Sequence, residues 1–414
     1  MQRRELLTAI GGLAALASRP NAPLDAEPTM PQTSPQTAGF PRKADFAIPD
    51  GYTYINGAYT HPMPKGATEA VRRHLERRSR PGADLPPEPA VDLKAEFAAL
   101  INAKPSEISY ITNTSAGENL IVNGLGVRKN DGNVVTDALH FDGALVHLNE
   151  LKKQGLDLRV APARDGRIDM RDLERLVDRK TKLIEVSLVA MYNGFQHDLK
   201  AVSDLAHANG AYVYADIVQA VGAVPIDVRA TGVDFCASSS FKWLMGDFGA
   251  GFLYVRQDLL DRVISRTHIG YHSTTAMDSH LSPFDPERAN PVTWTMRADA
   301  TGTFETGSTA QPAEAALRYS LPYIRGLGVA NIQAHRQPLL RRIREGMTKL
   351  GFTPQTPEGT TSPLITFAMR DGAAVAQKLQ RARVNARVSQ YWIRLSPSVY
   401  NDMVDVERLL EALA

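Results

Sequence analysis

The 414-residue chain contains a single cysteine, Cys236. One thiol excludes an internal disulfide, and no Cys/His spacing of the kind that holds a metal is present. An excess of charge of one sign is missing too. The 47 Lys and Arg stand against 45 Asp and Glu, a formal net charge of +2. That balance implies no polyelectrolyte partner, and no nucleic acid is expected. The cluster Arg72, Arg73, Arg77 and Arg78 reads as the solvated face of a helix. There is no internal repeat and no long apolar run. The apolar stretch within residues 1–17 is too short to span a bilayer as an ordinary helix, so no stable membrane insertion is expected. What is there is an ordinary globular composition, 43% hydrophobic and 22% charged, in a chain long enough for two domains.

Past residue 108, short apolar runs alternate with stretches of helical period. The pattern predicts strands at 108–112, 133–136, 157–161, 182–188, 211–215, 234–237 and 251–255. Helices are predicted at 116–127, 143–154, 169–176 and 199–209, after two earlier ones at 64–78 and 91–102. This alternation implies an α/β fold whose mainly parallel sheet lies between helices. Ligands in such sheets bind beyond the carboxyl ends of the strands. After residue 311 the pattern changes to helices at 312–324 and 331–350, strands at 364–368 and 393–396, and a closing helix at 404–412. The expected organisation is a large domain over 76–310 and a smaller α+β domain over 311–414. Residues 46–75 add an N-terminal segment to the small domain and the mouth of the site. Residues 268–303 show no clear regular structure and are expected to shape that mouth, with Tyr271 and His272 toward the substrate.

Two of the apolar runs end in chemistry. The run AYVYAD ends on Asp216, with Gln219 three residues on. The run VDFCA is followed by Ser238, Ser239 and Ser240, and then by Lys242. A carboxylate and an amine at the ends of buried strands are costly unless they have partners or a bound molecule. Pyridoxal 5′-phosphate (PLP) wants both: an acid beside its ring nitrogen and a lysine for its aldehyde. Asp216 is the candidate ring partner, Gln219 the donor to the ring oxygen. Lys242 is the candidate for the Schiff base and for the acid/base that moves the Cα proton.

The pattern D-x-x-Q (Asp216, Gln219) followed by S-x-x-K (Ser239 to Lys242) resembles the class V aminotransferase family of fold-type I PLP enzymes. That family includes cysteine desulfurases, kynureninase and isopenicillin N epimerase. The similarity runs from about Tyr52 to the C-terminus, and the S-x-x-K-W-L form is most similar to the isopenicillin-N-epimerase-like branch. The resemblance implies the fold-type I architecture and a set of site residues. It places the phosphate on Thr114 and Ser115, with Ser239 adding a hydroxyl. It puts His140 on the ring face, a job that Phe141 is also placed to do. It brings Gly307 and Ser308 to the phosphate of a neighbouring subunit, hence a homodimer with shared sites. Arg394, in R-x-S followed by Y-N, is placed on the substrate carboxylate, which a planar guanidinium grips with two hydrogen bonds. Asn56, Tyr59, His61 and His272 are further candidates at the mouth. Two departures stand out. Met191 falls where relatives carry an asparagine, leaving Gln219 alone or Asn193 as a substitute, and Phe241 replaces a common histidine.

Residues 1–17, MQRRELLTAIGGLAALA, combine Arg3 and Arg4, a short apolar run and an A-x-A site. This is similar to a twin-arginine signal, implying export of the folded protein to the periplasm or beyond. Residues 18–45, with six prolines between 18 and 41, are expected to be a flexible tether. The expected function is PLP chemistry at the Cα of an amino acid or peptide-borne amino acid. Transamination ranks ahead of epimerisation or lyase chemistry, with tailoring of a secreted peptide or siderophore as one setting. A non-catalytic PLP-binding scaffold is the remote alternative. Desulfuration is opposed because the stretch 384–391, where desulfurases carry their catalytic cysteine, has none.

Overall fold

Seven strands build the central sheet: β1 (Ile108–Ile111), β2 (Asn133–Asp137), β3 (Asp157–Ala161), β4 (Thr181–Ser187), β5 (Tyr212–Asp216), β6 (Phe235–Ser239) and β7 (Gly251–Val255). The computed structural model describes them within residues 39–127, 132–286 and 288–414. Their spatial order is β3-β2-β4-β5-β6-β7-β1. Strand β7 runs antiparallel to both neighbours and the other pairs are parallel.

A sheet buried on both faces needs apolar residues at every position, and the strands supply them in strict alternation. Val213 and Ala215 of β5, Cys236 of β6, and Phe252 and Tyr254 of β7 enter one core cluster. Tyr214, Phe235, Ala237, Leu253 and Val255 enter the cluster on the opposite face. The helix Thr114–Gly124 docks directly on that second face through Gly117. A Cβ there would stand 2.9 Å from both the Ala237 Cβ and the Ile111 Cδ1. Gly117→Val is therefore expected to cost about 2 kcal/mol or more of stability, read from chemical denaturation. It should also displace Thr114, the expected phosphate residue, because the helix that presents it must move.

The small domain has its own core around Ile343, Met347, Ile393, Leu395, Val406 and Leu409. Its four strands are antiparallel, with Ile365–Ala368 and Trp392–Leu395 at the centre. The N-terminal strand Thr53–Tyr54 pairs with Val384–Asn385, and Ile55 joins this core. Three features differ from the sequence expectation. The helix Gln311–Leu327 packs Ala313, Leu317, Leu321 and Ile324 into the large core, so the small-domain helices begin at Val329. The stretch expected to be irregular holds an antiparallel hairpin, Thr274–Ser279 against Val292–Met296, and the helix Ala300–Phe304. The end of the expected tether is ordered: Phe40 stacks on His335 at 4.7 Å, and Lys43 pairs with Asp402 at 2.8 Å. The twin-arginine segment and the rest of the tether up to residue 38 lie outside the described residues. No described helix is long and apolar enough to cross a membrane.

Candidate active site

Strands β4, β5 and β6 are parallel neighbours, with Ser187 opposite Asp216 and Asp216 opposite Ala237. Their chains therefore leave the sheet at one edge. After β5, the Val218 N–H donates to Asp216 Oδ1 at 2.8 Å. Gly222, with φ +84°, lets this turn close on the lysine turn, since a Cβ would stand 2.6 Å from the Trp243 carbonyl oxygen. After β6, the Ser240 N–H donates to the Ala250 carbonyl at 2.9 Å, and the Met245 N–H to the Lys242 carbonyl at 2.8 Å. The two turns bring Asp216 and Lys242 to one cavity of about 180 Å³, also lined by Thr114, Ser115, Gln219 and Ser239.

Both charged groups are held uneasily. Burial brings the Lys242 amine down to about 8; the Asp216 charge opposes this and the Arg394 charge adds to it. Burial pushes the Asp216 carboxyl up, against the Val218 N–H and the positive charges of His140 and Lys242. The Lys242 Nζ makes no hydrogen bond or ion pair among the described residues.

The anion cradle is built from a helix start and the end of β6. Asn113 caps the helix Thr114–Gly124, its side chain accepting from the Ala116 N–H at 2.9 Å. Thr114 and Ser115 are thus not consumed as caps. Thr114 and Ser239 interlock instead. The Thr114 N–H donates to Ser239 Oγ, the Ser239 N–H donates to Thr114 Oγ1, and the two hydroxyls are 3.0 Å apart. The positive end of the dipole of this 11-residue helix favours an anion beside it.

Gln219 is fixed from both ends. Its Nε2 donates to the Ala58 carbonyl at 3.0 Å and its Oε1 accepts from Trp243 Nε1 at 3.1 Å, leaving one amide proton for a ligand. Phe141 lines the cavity; His140 does not. His140 is buried, its Nδ1 2.9 Å from Ser187 Oγ and its Nε2 without a partner. Burial holds its imidazole below the ordinary range. Met191 and Phe241 also line the cavity, so both departures from the family pattern replace polar wall with apolar wall. Arg394 stands next to Met191, with Nη1 donating to the Met191 carbonyl at 2.9 Å and Nε buried without a partner.

Several expected residues lie elsewhere. Asn193 does not substitute for the missing asparagine. It is spent on a turn, donating to the Gly166 carbonyl at 2.7 Å and accepting from the Phe195 N–H at 3.0 Å. His61 is buried against Ser398 at 2.7 Å. His272 sits beside Glu305, 3.6 Å away, in a separate cleft with Lys94 and Arg297. Gly307 and Ser308 lie at Tyr271, whose hydroxyl is 2.8 Å from Ser308 Oγ. Asn56 and Tyr59 line a cleft on the small domain. Sequence reasoning missed Ser187, on the cavity wall. Its signal was position: Ser187 is the last residue of β4, level with Asp216 on β5.

Residues 90–409 match the aminotransferase class-V family. The chain belongs to that family. It is 27% identical over 316 residues to a probable cysteine desulfurase of Methanothermobacter thermautotrophicus, covering 74% of this chain and 75% of that protein. It is 25% identical over 321 residues to an uncharacterized aminotransferase of Bacillus subtilis, covering 77% and 81%. Among solved structures, the cysteine desulfurase of Thermococcus onnurineus superposes with a TM-score of 0.75 at 22% identity, covering 89% of this chain and 95% of that one. A C-DES variant with glycine covalently linked to its PLP cofactor superposes with a TM-score of 0.76 at 20% identity, covering 90% and 99%. The fold is therefore the fold-type I PLP-enzyme fold, and the cofactor is PLP.

The residues fit that group. The buried amine, which makes no hydrogen bond or ion pair among the described residues, suits an aldehyde, the buried carboxylate suits a protonated ring nitrogen, and the Thr114–Ser115–Ser239 cradle suits a phosphate.

Proposed function

We propose that the protein acts at the Cα of an amino acid or peptide-borne amino acid, and that it is an aminotransferase. The observation that carries this reading is the Lys242 amine, buried and without a hydrogen bond or ion pair among the described residues, on the same cavity wall as Asp216. PLP bound there supplies an electron sink that stabilises negative charge at the substrate Cα. Lys242 Nζ would take and return the Cα proton, Asp216 would hold a proton on the ring nitrogen of the bound group, and Arg394 would orient the substrate carboxylate.

Amino transfer needs one acid/base group, on one face. Epimerisation by proton exchange between opposite faces needs two. Lys242 and Asp216 are the titratable side chains on the cavity wall, and Asp216 is committed to the ring. A single base favours transfer over the reaction of the isopenicillin-N-epimerase-like branch. The relatives named cysteine desulfurase suggest a different reaction. A desulfurase needs a mobile thiol, and Cys236 is fully buried in β6, with burial pushing its thiol up. Cys236→Ala is expected to leave turnover within about twofold, as a buried structural cysteine should; a large loss with cysteine as substrate would revive desulfuration. The same proposal includes a homodimer, with Gly307 and Ser308 completing the partner's phosphate site, and export through the twin-arginine route.

The deciding experiment mixes holoenzyme with pools of amino acids and 2-oxo acids in deuterated water. A new amino acid formed from the added 2-oxo acid marks transfer. Deuterium at an inverted Cα marks epimerisation, and released ammonia marks a lyase. A colourless protein that changes no amino acid would overturn the enzymatic reading.

A further inference from the structure

The strand Trp392–Leu395 alternates: Ile393 and Leu395 enter the small-domain core, while Arg394 turns to the other face, toward Met191. On the adjacent antiparallel strand, Arg387 is the register partner of Arg394. Residues directly opposed in an antiparallel pair share a face, with Cβ atoms about 4.5–5.5 Å apart, and like charges so placed are destabilising. Neither guanidinium forms an ion pair among the described residues. Arg394 is buried with its Nε unpartnered. Arg387 is exposed and lies 5.0 Å over the Tyr59 ring. The cleft beside it, about 440 Å³, is also lined by Arg383, Asn56 and Asn385, and by no Asp or Glu. Two adjacent cations with no acid to offset them form a receptor for two negative charges.

We propose that Arg387, in the cleft that adjoins the site through its register partner Arg394, is a second anion-binding residue, and that the substrate is an amino acid with a second acidic group on its side chain. The inference rests on the reading above, in which Arg394 takes the α-carboxylate. The second carboxylate then meets Arg387, while Tyr59 holds that guanidinium in place through its ring face. Burial brings Arg394 down to about 10 and the Arg387 charge acts in the same direction, so a ligand with two acidic groups relieves both.

The test titrates holoenzyme calorimetrically with glutarate and with butyrate, neither of which has an amine to react. Glutarate is expected to bind at least about tenfold tighter, the worth of one charge-assisted hydrogen-bonded contact. In Arg387→Ala that preference should fall to within about twofold, with butyrate affinity unchanged, and Arg387→Lys should keep part of it. Arg387 is exposed, so these variants are expected to fold. Equal affinity of the wild type for the two acids, or an undiminished preference in Arg387→Ala, overturns the proposal. Amino transfer from L-alanine but not from L-glutamate also overturns it and leaves the proposed reaction standing. A preference for glutarate in an enzyme that transfers no amino group strikes the reaction alone.

Discussion

Lys242→Ala is expected to abolish turnover, a loss on the order of 10³-fold or more, because the variant removes both the covalent anchor and the acid/base group at Cα. Purified wild type should be yellow, and borohydride followed by mass spectrometry should place the cofactor on Lys242; the variant should lose both signals. A pH dependence follows from the same burial. The amine must be neutral to attack an aldehyde, so PLP capture by the cofactor-free protein should accelerate as pH rises through about 8. Stability moves with it. The folded amine sits near 8 and its ordinary value is 10.5, so between those limits the unfolded chain binds more protons and stability rises with pH. Denaturant midpoints of the cofactor-free protein across that window should show the rise in the wild type and not in Lys242→Ala. A partly exposed, charged lysine with no role at the cofactor would show neither the kinetic nor the stability trend.

The parts of this fold most legible in the sequence are those where one physical constraint acts alone. Apart from the edge strand β3, the strands of the central sheet are largely buried on both faces, so their apolar runs had no competing reading, and Asp216 and Lys242 stood out because charge is expensive there. The hairpin Thr274–Ser279 with Val292–Met296 was hidden for the opposite reason. It is largely exposed, so no burial pattern marks it, and its strands are separated by a long polar connection. The helix Gln311–Leu327 was legible as a helix but not in its allegiance, since an amphipathic face does not say which core it covers. His140 and Phe141 are adjacent in a turn, where neither the period of a helix nor that of a strand fixes direction; His140 is held by the hydrogen bond between it and Ser187, 47 residues away, and Phe141 lines the cavity. Arg387 carries no motif at all. Its meaning comes from lying opposite Arg394 in the small-domain sheet, a pairing set by strand register.

Asp216→Asn is expected to lower kcat/KM by on the order of 10²- to 10³-fold, comparable to deleting one preorganised electrostatic contact at a reacting centre. The substitution is nearly isosteric and keeps an oxygen for the Val218 N–H at 2.8 Å, so the turn after β5 should stand. What it removes is the charge that favours a proton on the ring nitrogen. The carboxylate also acts on its neighbour, since the Asp216 charge is what raises the Lys242 amine against burial. In Asp216→Asn the amine should therefore titrate below about 8, and the pH profile of PLP capture should shift to lower pH even as turnover falls. These two effects have opposite signs. Capture becomes easier at neutral pH because the lysine is more often neutral, while catalysis fails because the acid that sustains the electron sink is gone. Loss of fold would depress both together, and an Asp216 that merely braces a turn would move neither the profile nor the rate.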